Sequence, residues 1–224
     1  MATTLDVPWT VSREASIPSK GTTLLGTVAV PAEPVGVVAF AHGSGSSRSS
    51  PRNTRVATGL NEAGVATLLF DLLTADEELD RRNVFDVSLL AARLLAATCW
   101  LETEPELYGL SVGYFGASTG AAAALWAAAE HPRPVAVVSR GGRPDLVAER
   151  LGRVRAPTLL IVGGLDEVVL ELNRSALQLL PDHAELRVVP GATHLFEERG
   201  ALDEVRRLAR EWFVRYLPQV GDDR

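Results

Sequence analysis

The chain holds one cysteine and one lysine, and each scarcity removes a class of chemistry. Cys99 alone cannot close an internal disulfide, which fits a reducing compartment. It falls in the apolar run Leu89 to Leu101, so it reads as a buried, inert thiol. The only lysine, Lys20, precedes Gly21 in a polar turn, although arginine is plentiful. A P-loop needs a lysine after its glycines, and a Schiff-base enzyme needs an amine in a pocket; neither is supplied. No apolar run approaches the ~18 residues that cross a bilayer. Met1 to Lys20 lacks the charged-then-apolar plan of a secretory leader, so the expected location is cytoplasmic. A net charge of −6 argues against nucleic acid or an anionic membrane as partner.

What remains is an ordinary globule. Of its 224 residues 46% are hydrophobic and 22% charged, which suits a single domain spanning 1–224. Trp9 to Ile17 and Leu24 to Val30 read as two strands joined around Ser19-Lys20-Gly21, a hairpin at a sheet edge. Val35 to Ala41 is a short continuous apolar run with the look of a strand buried on both faces, and Val65 to Phe70 reads as the next buried strand. A helix is expected from about Asn53 to Ala63, stopped by Gly64. Asp71 to Arg82 reads as a charged connection, and Val84 to Leu101 as a helix starting near Asn83. Later strands are expected at Leu110 to Phe115, Val135 to Ser139, Thr158 to Val162 and Leu186 to Val189. Helices alternate with them at Ala121 to Glu130, Leu146 to Leu151, Val169 to Leu180 (ended by Pro181) and Leu202 to Leu217. The fold class is therefore α/β: a mostly parallel sheet with helices on both faces and an N-terminal hairpin. Sites in such sheets gather at the carboxyl ends of the strands.

Gly116-Ala117-Ser118-Thr119-Gly120 stands where a buried strand passes into an alanine-rich helix. A serine there, with glycine two positions away on each side, is a nucleophile elbow. The turn is so sharp that a side chain at 116 or 120 would strike neighbouring backbone. It lifts the Ser118 hydroxyl clear of the sheet at a helix N-terminus, where developing negative charge is favoured. The bland alternative is a glycine-rich turn whose serine caps the helix.

A serine hydroxyl needs a base, usually a histidine held by a carboxylate. His131 ends the helix after the elbow, His183 precedes the last strand at its wrong end, and His42 lies upstream in a glycine loop. His194, just past the last strand, is at the right edge; the competing view is a solvent-exposed loop histidine. Asp166 follows the Thr158–Val162 strand through Gly163-Gly164-Leu165 and is the preferred acid over Glu167 and Asp145. The order Ser118, Asp166, His194 is the serine–acid–histidine order of this architecture. Two N–H donors must meet the developing oxyanion. Thr119, after the nucleophile, supplies one; the other is expected from Ser44, with Gly45 second, in the loop after Val35–Ala41. Gly43-Ser44-Gly45 also begins a GxGxxG, but Arg48 occupies the third glycine position and that fingerprint fails.

At this point the chain resembles an α/β-hydrolase, and more narrowly the small, lidless, dienelactone-hydrolase-like branch. The resemblance covers nearly the whole chain. It is carried by HGSGSSRSSPRN (His42 to Asn53), GASTG (116–120), SRGGRPDL (Ser139 to Leu146), LLIVGGLD (Leu159 to Asp166) and PGATHLFEE (Pro190 to Glu198). It implies that Ser118, Asp166 and His194 are nucleophile, acid and base, that Ser44 and Thr119 form the oxyanion hole, and that ester cleavage proceeds without metal or cofactor. Dienelactone hydrolases proper use a cysteine nucleophile, so the resemblance supports the fold and the ester-cleaving chemistry but not that substrate. Related sequences occur fused to phosphoribosyltransferase-like domains; the acidic phosphoribosyl-pyrophosphate loop is not in this chain.

Only 18 residues, 140–157, separate the strand after the elbow helix from the strand bearing the acid, too few for a lid domain. The expected site is shallow and open to short or flexible acyl esters. Arg140 and Arg143 in this crossover, and Arg48 and Arg52 near Ser44, are candidates to bind an acidic group on the substrate. Arginines tying loops together are the alternative. The partner is thus a small-molecule ester, with lactones, thioesters or short peptides as variants. A hydrolase-shaped binding protein without turnover is the reading of another class. The oligomeric state is not legible.

Overall fold

The computed structural model describes residues 9–219. Residues 1–8 and 220–224 of the expected domain, and with them the start of the stretch read for a leader, lie outside the described residues. Strands β1 (Trp9–Ser19) and β2 (Thr22–Pro31) form the expected hairpin, with Ser19 opposite Thr22. Lys20 and Gly21 make its two-residue turn at φ 39° and 82°, the left-handed values that match strand twist. β2 pairs antiparallel with β4 (Ala66–Phe70). From there the sheet is parallel through β3 (Val37–Ala41), β5 (Val112–Ala117), β6 (Pro134–Arg140), β7 (Thr158–Gly163) and β8 (Ala184–Val189). The order is β1-β2-β4-β3-β5-β6-β7-β8, which places β5 inside the sheet.

β3, β4, β5 and β7 are buried at every position, the reason apolar residues dominate them. Alternate side chains feed two cores. On one face Tyr114 and Val137 pack with α4 (Val87–Leu101) and α5 (Thr119–Glu130). On the other Phe115 and Val138 pack with α1 (Pro51–Asn61) and α7 (Ala201–Tyr216). Tyr114 is fully buried, and its hydroxyl shares a 2.7 Å hydrogen bond with Thr98; burial pushes its pKa up.

Several boundaries differ from expectation, each for a local reason. α1 begins at Pro51 rather than Asn53, because Ser50 caps it and accepts from the Asn53 N–H at 3.4 Å; proline is pre-shaped for the first helical position. The connection 71–82 is not irregular: it holds α2 (Ala75–Glu78) and continues into α3 (Arg81–Phe85). A Thr74–Glu77 capping box starts α2. Asp86, accepting from the Leu89 N–H at 3.0 Å, then starts α4 at Val87, not near Asn83. The crossover helix is a 3₁₀ segment, Pro144–Arg153, and no lid domain follows β6. α6 (Glu167–Leu177) ends before Leu180. Cys99 is exposed, not buried. α4 turns Leu94, Ala97, Thr98 and Leu101 to the core, which leaves position 99 on the outer side.

Candidate functional site

Ser118 joins β5 to α5 at φ 51° and ψ −119°, a left-handed conformation that a non-glycine residue holds only when its surroundings enforce it. Three hydrogen bonds do so. Its N–H donates to the Arg140 carbonyl at 3.2 Å, and its own carbonyl accepts from Ala121 at 3.1 Å and from Arg143 at 3.3 Å. The flanking glycines are required by space. A Cβ on Gly116 would stand 2.4 Å from the Ala121 Cα, and one on Gly120 would stand 2.1 Å from the Ala41 carbonyl oxygen. Ser118 makes no capping hydrogen bond to α5, so the helix-cap alternative has no support in the geometry.

His194 and Asp166 meet at the same edge. Nδ1 of His194 lies 2.6 Å from Oδ2 of Asp166, where the ring N–H donates to the carboxylate. The two loops are latched by the Leu165 N–H donating to the Ala192 carbonyl at 2.9 Å. The His194 loop is further clasped by the Thr193 hydroxyl, which donates to Glu198 at 2.6 Å and holds that carboxyl below its usual range. Phe196, fully buried at φ 56°, anchors it from beneath. Asp145, the rival acid, is engaged by both arms of Arg143 at 2.7 and 2.8 Å. Among the described residues no hydrogen bond joins the Ser118 hydroxyl to the His194 ring. Both residues flank the same short segment: Ser118 bonds to the Arg140 carbonyl, and a Cβ on Gly141 would touch the ring Cε1 at 3.4 Å.

The other histidines have different surroundings. His42 is buried, with Nδ1–H donating to the Gly43 carbonyl at 3.1 Å and Nε2 accepting from the Leu72 N–H at 3.1 Å. His131 caps the end of α5 and accepts from the Arg133 N–H. His183 precedes β8 as expected.

The loop after β3 approaches the elbow. Gly45 takes φ 69° with open space beside it, while the Ser44 N–H already donates to the Thr119 hydroxyl oxygen at 2.9 Å. That engagement had no signature in the order of residues. The basic candidates separate. Arg48 binds Asp71 through its main-chain N–H and its guanidinium, each at 2.8 Å. Arg143 is held by Asp145, and Arg52 reaches Glu197 at 3.3 Å. Arg140 is different: it is 5% exposed, its guanidinium lies 5.7 Å from the centre of the Phe196 ring, and no carboxylate among the described residues pairs with it. Burial, together with the like charge of Arg52, lowers its pKa to about 10. Among the described residues no cluster of three or more His, Cys, Asp or Glu side chains could hold a metal ion. No helix among them is long and apolar enough to cross a membrane.

No protein-family profile matches the chain. A crystal structure of a dienelactone hydrolase from Anabaena variabilis is 52% identical, with a TM-score of 0.90 over 94% of this chain and 99% of that one. An esterase domain from Rhodothermus marinus superposes with a TM-score of 0.76 over 93% of this chain and 100% of that one; at 19% identity the likeness is one of fold. A Mycobacterium tuberculosis protein provisionally named a phosphoribosyl transferase is 61% identical over 197 residues, 88% of this chain. The chain spans 44% of the length of that relative.

Proposed function

Because the chain belongs to the α/β-hydrolases, in their dienelactone-hydrolase-like branch, we propose that it cleaves carboxylic esters through an acyl-enzyme on Ser118. The observations that support this reading are a serine strained to φ 51° and bonded to the Arg140 carbonyl, and a histidine, paired with a carboxylate at 2.6 Å, whose ring lies beside Gly141. Ser118 Oγ attacks the ester carbonyl as its proton passes to Nε2 of His194. Asp166, on Nδ1, keeps that ring in the tautomer whose Nε2 is free to accept, and then stabilises the imidazolium. In this reading the tetrahedral oxyanion forms at the N-terminus of α5, with the Thr119 N–H as a donor. On collapse the imidazolium gives its proton to the departing alkoxide. Water, deprotonated by His194, then repeats the attack on the acyl-enzyme and frees the acid and Ser118.

The short crossover after β6, residues 140–157, favours a site for short or flexible acyl groups. Arg140, buried beside Arg52 and with no carboxylate partner among the described residues, supports an acidic group on the substrate; Arg48 and Arg143 already have carboxylate partners. Phosphoribosyl transfer, the activity in the mycobacterial relative's name, is not proposed for this chain, because the acidic loop that chemistry needs is not in its sequence.

The test is a fluorophosphonate label together with a panel of p-nitrophenyl esters of graded acyl length, a lactone and a thioester. Label on Ser118, lost in Ser118→Ala, with turnover of short esters is the expected result. A wild-type chain that neither labels nor turns over any ester is a binding protein, and the reading fails.

A further inference from the structure

Ser44 and Thr119 were expected to act side by side, each lending a main-chain N–H. The geometry couples them in series instead. The Ser44 N–H donates to Oγ1 of Thr119 at 2.9 Å, and Thr119 is buried. That bond uses a lone pair of the hydroxyl and leaves its proton free; among the described residues the Thr119 hydroxyl donates to no acceptor. A free O–H on a buried side chain is costly unless something arrives to accept it. Thr119 is also the first residue of α5 and the neighbour of Ser118, so its hydroxyl and its main-chain N–H belong to the same helix end. Its β-branch restricts the rotamer, and the Ser44 N–H selects one.

We propose that the Thr119 hydroxyl is itself a donor of the oxyanion hole, with Ser44 as the positioning residue that orients it. This rests on the serine-hydrolase reading above. As the Ser118 Oγ–carbon bond forms, the carbonyl electron pair moves onto oxygen and the serine proton goes to His194. The oxyanion then accepts from two groups of one residue, the Thr119 N–H and the Thr119 O–H. Neither proton is transferred, and both bonds relax when the carbonyl re-forms and the leaving alkoxide takes its proton from His194. Donation by Ser44 into the threonine oxygen polarises the O–H and strengthens it as a donor.

The experiment compares wild type, Thr119→Val (same shape, no hydroxyl) and Thr119→Ser (hydroxyl retained). It reads kcat and KM on p-nitrophenyl butyrate and the rate of fluorophosphonate labelling of Ser118. Loss of one oxyanion donor predicts a fall in kcat of about 10²- to 10³-fold in Thr119→Val with KM little changed, and slower labelling. Thr119→Ser should recover most of it. An unchanged or raised kcat in Thr119→Val overturns the proposal, since the freed Ser44 N–H would then serve the oxygen directly. If Thr119→Val melts early, Thr119→Ser decides: recovery supports the proposal, and a loss as deep as that of valine overturns it. Wild-type turnover with a normal Thr119→Val removes this inference alone. Absence of both turnover and labelling in wild type removes the hydrolase reading and this inference with it.

Discussion

Nδ1 of His194 and Oδ2 of Asp166 stand 2.6 Å apart although 28 residues separate them. Parallel pairing of β7 with β8 makes this possible, because Gly163 opposite Val189 brings the two strands to one edge in step. Gly163 has a further role: a Cβ there would lie 2.4 Å from the Ala192 carbonyl oxygen, so the His194 loop closes over it only without a side chain. Asp166→Asn should keep this geometry while favouring the tautomer with the proton on Nε2. The expected loss in kcat is on the order of 10⁴-fold at an unchanged melting temperature. Steady-state kinetics beside a thermal melt checks it, and near-normal turnover would remove Asp166 from the proposed relay.

Ser118→Ala tests the nucleophile. The side chain makes no capping bond, so truncation should leave stability within about 0.5 kcal/mol, or raise it by relieving the strained position's polar burden. Ester turnover should fall to background. Intact-protein mass spectrometry after fluorophosphonate treatment gives an independent reading, with one adduct in wild type and none in the variant.

Gly120→Ala tests the elbow. Its added methyl would lie 2.1 Å from the Ala41 carbonyl oxygen and 2.4 Å from that of His42. Backbone must move, so a loss of at least about 3 kcal/mol is expected, or failure to fold. Gly45→Ala is the control for glycine removal without a clash, because that position faces open space. Its cost should be limited to the strain of φ 69°, about 1 kcal/mol. Denaturant melts of the pair would show whether close approach, rather than flexibility, is what position 120 needs.

Arg140 carries two predictions, one on stability and one on the proposed preference for charged substrates. Its folded pKa, about 10, lies below the ordinary guanidinium value, so the unfolded chain holds this proton more tightly. Stability therefore rises with pH only between those two values, and at pH 7 the full cost of the buried charge is present. Arg140→Met should stabilise the protein at pH 7, by an amount on the order of 1–3 kcal/mol. It should also lower kcat/KM at least tenfold more for mono-p-nitrophenyl succinate than for p-nitrophenyl butyrate. Equal losses on the two esters would leave Arg140 as a prop for Phe196 and the His194 loop.

The strands, their parallel sense and the elbow were legible because each rests on short-range chemistry. Val37 to Ala41 and Val112 to Ala117 are apolar throughout because both sheet faces are covered, and glycine at 116 and 120 answers clashes with near neighbours. Helix starts were missed where a cap outweighed periodicity, as Ser50-Pro51 did for α1 and Asp86 for α4. Cys99 was misplaced because an apolar run does not say which way one of its members turns.

The order of residues by itself determined the class of fold and the loops that carry Ser118, Asp166 and His194, since hydrophobic period and glycine placement act over a few positions. Which acid faces His194, which buried arginine has no carboxylate partner among the described residues and where the Ser44 N–H is directed were decided only in three dimensions. Those outcomes depend on contacts between loops 28 to 75 residues apart, and only the packed sheet edge brings such loops together.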